Sequence, residues 1–446
     1  MKMARKTKAR LQAFTPKTII GMRERLFDAA RAAADAIGYE GAGTVEFLAD
    51  AKGEFFFLEV NTRLQVEHPV TEATTGLDLV ALQLSVAAGH PLPSLEPPEA
   101  LGWSVEARLY AEDPSNEYRP MSGNLTALEF DDVVAEFQGP GFPGIRLDTG
   151  VDPSPGAPAH VGVHYDAMLA KVISWGQTRG EAVARLAASL RRARIHGLDT
   201  NRALLVRILE DPEFCSGDFD TGFLSGDRFE ALTEPLLDAS ATSLSSIAAA
   251  AALDEIAGAS GPLSNFPLGF RNVGTSSSSR RFLLGEEEIT VALRRSRSST
   301  VAADDPEISI ESVDVVPTAG GAAKATVRIN RAGLNRVFRV QLHADGSLGV
   351  DSGLGPLSLT VLPRFEDPAD AVAEGSLLAP MPGSVTAVHV AVGDTVSKAD
   401  ILLSLEAMKM EHGIRAGSDG EVTELAVSVG DQVESGKVLA VVESGA

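Results

Sequence analysis

The chain holds a single cysteine, Cys215, in 446 residues, so no internal disulfide framework is possible and a reducing compartment suits it. Aromatic residues make up only 5% of the chain, and they are not interleaved with basic residues in any stripe. With a formal net charge of −22, this argues against nucleic acid as a partner. No apolar run approaches the length of a membrane span, so no membrane partner is expected. The first twenty residues contain no acid and six bases (Lys2, Arg5, Lys6, Lys8, Arg10, Lys17), but no apolar signal core. They read either as an organelle transit peptide or as an odd start site. The length is enough for two to four domains with real cores.

Near the C-terminus the chain repeats itself. Gly393-Asp394-Thr395-Val396 returns as Gly430-Asp431-Gln432-Val433, an offset of 37 residues (430 less 393). The same offset carries Gly383 to Gly420, Val385 to Val422, Leu402 to Leu439 and Glu406 to Glu443. Each copy alternates in the manner of a strand, with Val385, Ala387 and His389 against Thr386, Val388 and Val390, before a Gly-Asp turn. Two such units packed face to face predict a small flattened β-barrel with a pseudo-twofold axis. Lys409, between Met408 and Met410, would then sit at the hairpin tip joining the halves. An exposed lysine on a rigid turn suits a carrier, because a modifying enzyme must reach it and a tethered group must swing. The bland alternative is a lysine that only solubilises the turn.

This segment resembles the biotin carboxyl carrier domain, whose lysine lies in an Ala-Met-Lys-Met box, here Ala407 to Met410. The upstream Ala379-Pro380-Met381-Pro382-Gly383 also matches. The resemblance implies biotin in an amide bond on Lys409, attached by a biotin protein ligase. Lipoyl domains share the architecture but usually lack the second methionine.

At the other end, Met22, Leu26, Ala29, Ala30, Ala33 and Ile37 have helical spacing, with Gly38 placed to end the helix. Two strand-like runs follow, 43–48 and 55–61, joined by Asp50-Ala51-Lys52-Gly53. Carboxylates inside apolar strands are expensive unless paired or metal-bound. Glu46 on one strand, with Glu59 and Asn61 on one face of the other, read either as oxygen ligands for Mg²⁺ or as solvated edge residues. The next stretch, Asn61-Thr62-Arg63-Leu64-Gln65-Val66-Glu67-His68-Pro69-Val70-Thr71-Glu72, packs Arg, Gln, Glu and His together. If extended, it would display Arg63, Gln65 and Glu67 on one side, a cation, an amide and a carboxylate able to hold a small anion and move its proton.

The string Glu59 to Glu72 resembles the biotin carboxylases of the ATP-grasp superfamily. The resemblance implies that Glu46, Glu59 and Asn61 hold Mg²⁺ (or Mn²⁺) against ATP, and that Leu48 walls the adenine pocket. Arg63, Gln65 and Val66 match the bicarbonate pocket, and Glu67 the general base that deprotonates bicarbonate. Arg108 in Val105-Glu106-Ala107-Arg108-Leu109 matches the arginine that steadies biotin while its ring nitrogen takes CO₂; taken alone it reads as a surface strand arginine. His164 and Asp166 read as structural.

Helical spacing returns over 179–194, 201–209 and 239–258, followed by period-2 runs at 288–293, 325–329 and 337–342. One helix followed by many strands predicts a small β-barrel around or beside a helix. This part resembles, more loosely, the middle domain that docks acyl-CoA carboxylase α chains onto their partner. The expected organisation is α+β multidomain. A partial ATP-grasp domain (1–100) leads to a β-rich biotin carboxylase C-terminal domain (101–232) and a helix-plus-barrel middle domain (233–363). A linker (364–376) and a biotinyl domain of flattened-barrel type (377–446) follow. The implied activity is ATP- and bicarbonate-dependent carboxylation of biotin for transfer to an acyl-CoA by a carboxyltransferase β subunit. Acetyl- or propionyl-CoA is expected, with methylcrotonyl-CoA as an alternative, in the cytoplasm or else the mitochondrial matrix.

The resemblance begins partway through that family's catalytic domain. Its N-terminal subdomain, Gly-rich lid and ATP-gripping lysines have no counterpart, and residues 1–20 do not match. Phosphoryl transfer depends on positioning and charge neutralisation. The chain by itself is therefore expected to be a poor carboxylase, and a non-catalytic carrier and docking protein is the competing reading.

Overall fold

The computed structural model describes every residue except 1–21, 51–52, 95–97, 117, 138–143, 154–156, 163, 221, 261–276, 286, 297–298, 319–321, 364–374, 381–382, 408–409, 434–435 and 444–446. Helix α1 (Met22–Ala36) buries Met22, Leu26, Ala30 and Ala34 along one face, and the chain leaves it through Gly38 in the left-handed region. Strands β1 (Thr44–Ala49) and β2 (Phe55–Asn61) form an antiparallel hairpin, followed by α2 (His68–Thr75) and α3 (Leu79–Ala87). Asp78 caps α3 by accepting from the Ala81 amide at 2.8 Å.

A four-stranded sheet forms the centre, built from β3 (Trp103–Tyr110), β4 (Val133–Glu136), β5 (Ile145–Thr149) and β6 (Met168–Gly176) in the order β3-β6-β5-β4. Only the β4–β5 pairing is parallel. Helix α4 (Arg179–Arg192) lies across it because Ala182, Val183, Leu186 and Leu190 recur on one face. Its start is closed from both sides: the N-cap Thr178 accepts from the Glu181 amide, and the Glu181 carboxylate accepts from the amide of Gln177, just before the cap, at 2.9 Å. Leu109, Val172, Leu186 and Leu190, all at 0% exposure, form the centre of this core. Strand β7 (Arg194–His196) and helix α5 (Arg202–Glu210) follow.

Helix α6 (Ala239–Ser260) is buried on every side over Ile247–Leu253, while Asp254 and Glu255 beyond that run pair with Arg280 and Arg295. It runs inside a closed barrel of eight strands, from Ser278–Leu284 to Gly355–Val361. Ala248, Ala250 and Ala252 meet Phe282, Val327, Phe338 and Val350 from the wall, with no exposed surface. The expected helix-plus-barrel is therefore the "around" form, and alanine is the residue small enough to let the wall close.

The barrel is fastened to a separate two-stranded sheet, in which β7 pairs with residues 127–129. His196 on β7 bonds Asp351 at 2.8 Å through Nε2 and His343 at 3.2 Å through Nδ1. Around this buried cluster lie Arg194–Glu129 at 2.8 Å, Lys324–Glu129 at 3.2 Å and Arg339–Asp131 at 3.1 Å. Gly349 has to be glycine: a Cβ there would sit 2.4 Å from His196 Nε2.

The C-terminal unit is two four-stranded sheets. Its repeat is visible atom by atom. Asp394 accepts from the Ala391 amide at 2.8 Å, and Asp431 from the Ser428 amide at 2.9 Å. Gly393 and Gly430, at φ 96° and 93°, turn the chain in both copies. Leu402 and Leu439 are each fully buried. Its first strand opens at Ser376, paired with Val441, so the stretch read as linker ends one residue early. Most of that stretch, 364–374, lies outside the described residues.

Candidate functional site

The hairpin register sets Glu46 directly opposite Glu59. Like charges in that position repel unless something neutralises them. Asn61 Nδ2 donates to Glu46 Oε1 at 3.2 Å and to Glu59 Oε1 at 2.8 Å, and Gln65 Nε2 donates to Glu46 Oε1 at 3.1 Å. The three expected oxygen ligands thus converge on one face, as two carboxylates and a carboxamide. This hard-oxygen set fits a Mg²⁺ that completes its shell with phosphate and water. No group of three or more His, Cys, Asp or Glu stands ready to chelate a metal among the described residues.

The segment from Thr62 to Glu67 is not extended, which corrects the expected display of Arg63, Gln65 and Glu67 on one side. Glu67, at φ −82° and ψ 12°, lies in the bridge region and not in the extended one, and Pro69 occupies the first turn of α2. The His68 amide turns back to the Gln65 carbonyl at 3.3 Å. Gln65 consequently points inward to Glu46 and Arg63 is exposed, while Glu67 faces β3. There Arg108 Nη2 donates to Glu67 Oε2 at 2.7 Å. The acid and the base therefore do meet, through a turn.

Behind this pair lies an ion network that spacing did not reveal. Arg146 on β5 binds Asp148 at 2.7 Å and Glu72 of α2 at 2.8 Å, and all three side chains are at most 3% exposed. Glu72 also accepts from the Leu79 amide at 2.8 Å, tying α2 to α3. Lys171 on β6 bridges Asp148 Oδ2 at 3.1 Å and the Val66 carbonyl at 3.4 Å. Burial works against the Asp148 charge, yet the Arg146 hydrogen bonds and Lys171 hold it below the usual carboxylate range. Asn201 locks β3 from the other side, donating to the Arg108 carbonyl at 3.1 Å and accepting from the Tyr110 amide at 3.0 Å. Burial lowers the His68 pKa.

One carboxyl in the cluster is different. Glu106 lies on the Arg108 side of β3 with its side chain 4% exposed, and burial pushes its pKa up to about 8. Neither of its oxygens has a hydrogen-bond partner, and the nearest cation atom, Arg108 Nε, is 4.0 Å from Oε1.

Leu48 is 56% exposed on β1. His164 and Asp166 are exposed, and Asp166 accepts from the Met168 amide at 2.9 Å, a turn-forming role. At the carrier hairpin, Ala407 pairs with Met410. Met408 and Lys409 lie outside the described residues.

Three family models match the chain: the biotin carboxylase C-terminal domain over residues 106–226, the ATP-binding domain of the carbamoyl-phosphate synthase L chain over 8–95, and the biotin-requiring enzyme domain over 375–442. The second match begins at residue 8, which corrects the expectation that residues 1–20 do not match. The chain is 35% identical to the mitochondrial methylcrotonoyl-CoA carboxylase subunit α of Dictyostelium discoideum, over 94% of this chain and 60% of that protein. It is 34% identical to the propionyl-CoA carboxylase α chain of Ruegeria pomeroyi, over 88% of this chain and 59% of that one. Among solved structures, the biotin carboxylase domain of a thermophilic 2-oxoglutarate carboxylase bound to bicarbonate is 35% identical, covering 50% of this chain and 46% of that one with a TM-score of 0.43. The chain thus spans somewhat under two thirds of the curated relatives it matches.

Proposed function

We propose, for a chain that carries the biotin carboxylase and biotin-carrier domains of acyl-CoA carboxylase α subunits, that it carboxylates biotin held on Lys409 with ATP and bicarbonate. A separate carboxyltransferase β subunit would then pass the carboxyl group to an acyl-CoA. The observation that carries the reading is the 2.7 Å Arg108–Glu67 pair standing beside the oxygen cluster of Glu46, Glu59 and Asn61.

In this reading Glu67 takes the bicarbonate proton, and Arg63, Gln65 and the Val66 backbone orient the anion. Arg108 releases Glu67 to face the biotin ring. Glu46, Glu59 and Asn61 hold Mg²⁺, which when bound neutralises phosphate charge. Leu48, exposed on the same hairpin, supplies apolar surface for the nucleotide base. Biotin provides the nitrogen that carries CO₂, with Met408 and Met410 flanking its lysine and a biotin protein ligase attaching it. The acyl-CoA is chosen by the β subunit; the similarity to methylcrotonoyl- and propionyl-CoA carboxylase α subunits favours a short or branched acyl group. No helix among the described residues is long and apolar enough to cross a membrane.

The deciding experiment is co-expression with a biotin ligase, followed by mass spectrometry of the Lys409 peptide. One biotinyl group is expected, and none in Lys409→Arg. An unmodified Lys409 in the wild-type chain would sink the reading. The chain by itself is expected to fix labelled bicarbonate slowly, and the ATP-dependent rate it shows should fall by about 10²–10⁴-fold in Glu67→Gln, the range for loss of a general base.

A further inference from the structure

We propose that Glu106 is a positioning residue for Arg108: as a neutral acid it leaves the guanidinium committed to Glu67, and as an anion it competes for it. The argument begins with strand geometry. Residues two apart on β3 share a face, so Glu106 and Arg108 rise side by side toward the loop that carries Glu67. Arg108 thus stands between two carboxyls, 2.7 Å from Glu67 through Nη2 and 4.0 Å from Glu106 through Nε. The unequal distances show which of them holds it in this arrangement.

The groups facing Glu106 are Arg108 on its own strand, Lys171 on β6, Asp148 on β5 and Glu67 ahead of α2. Lys171 is engaged, bridging Asp148 and the Val66 carbonyl, so it is poorly placed to serve Glu106 as well. A buried carboxylate with neither oxygen hydrogen-bonded would cost several kcal/mol, so the group holds a proton instead. Its raised pKa, about 8, agrees with this. Lys171 and Arg108 both favour the anion that forms when the proton leaves to solvent, but Lys171 is held by Asp148 and Val66. Arg108, which Tyr110 also engages, has the Nε side of its fork turned toward Glu106 at 4.0 Å. Two anions then share one guanidinium. The grip on Glu67 loosens, and the cation offered to substrate is partly neutralised.

A titration of the full chain by NMR tests this without reference to turnover. In deuterated, ¹³C/¹⁵N-labelled protein, the Glu106 Cδ resonance is identified as the signal lost in Glu106→Gln. Its midpoint is expected near 8, and the Arg108 Nε–Hε resonance should move with the same midpoint. In Glu106→Gln the Arg108 resonance should stay at its low-pH position throughout. Ordinary carboxylate titration of Glu106, or an Arg108 shift that persists in the variant, would overturn the proposal. Should the variant fail to fold, the two wild-type midpoints decide alone, and unequal midpoints overturn it. The inference rests on the carboxylase reading only for its catalytic consequence. A bare Lys409 would defeat that reading and leave these titrations unchanged.

Discussion

The attachment of the barrel to the two-stranded sheet of β7 should weaken in mild acid, and His343 sets the amount. Its ring is 7% exposed, packed edge-on against His196 and within reach of Asp345, Lys324 and Asp351. Burial, and then the neighbouring His196, push its pKa down from 6.5 to about 4. Between those values the unfolded chain binds a proton that the folded chain refuses, so stability is lost as pH falls through 6.5 and the loss levels off below about 4. At pH 5 the deficit relative to pH 7.5 amounts to about 2 kcal/mol. For a cooperative unit of this size that is roughly 4–8 °C in Tm. His343→Gln places an amide near the ring nitrogen but cannot titrate. Scanning calorimetry of both proteins from pH 7.5 to 4.5 separates its contribution from the acid sensitivity of other groups. The gap between wild type and variant should narrow or reverse by that amount on acidification. A gap constant to within about 1 °C would refute the reasoning.

Other consequences follow from the same geometry. Arg146→Met leaves Glu72 with only the Leu79 amide and Asp148 with Lys171 and the Phe137 amide, and should cost about 3–5 kcal/mol in urea unfolding, whereas adding Glu72→Gln and Asp148→Asn should recover part of it. A loss below about 1 kcal/mol would mean those charges find other compensation. Gly349→Ala drives a methyl into the His196 ring and should destabilise by about 1–3 kcal/mol, read as a lower urea midpoint for the barrel transition. Glu59→Gln should weaken Mn²⁺ binding in the presence of ATP about tenfold or more by EPR titration, and unchanged affinity would remove the hairpin from the metal site.

Much of this was legible in the sequence, because periodicity survives folding. The spacing of Met22, Leu26 and Ala30 became α1, and the 37-residue offset became two matching Asp-capped turns. Glu46, Glu59 and Asn61 converge because strand alternation is local. The conformation around Glu67 was misread for the opposite reason: its alternation suggested a strand, while the start of α2 imposed a turn. The ion network of Arg146, Glu72, Asp148 and Lys171 joins elements up to about a hundred residues apart, so no spacing reports it. A hint existed in Ile145-Arg146-Leu147-Asp148, where an opposite-charge pair alternates with apolar residues over four buried positions of one strand. The same alternation in Val105-Glu106-Ala107-Arg108-Leu109 marked Glu106 and Arg108 as a pair. It did not mark that Glu106 would stand without a hydrogen bond, which depends on what fails to reach it.

Among the described residues, the alanine helix fills the barrel and packs against its wall where a guest would otherwise lie. Such a solid peg cannot gain specificity from an internal pocket, as open barrels of similar strand number do. Whatever this segment contributes to an assembly must therefore be written on its outer wall. Substitutions that enlarge Ala248, Ala250 or Ala252 should burst the peg without altering that script.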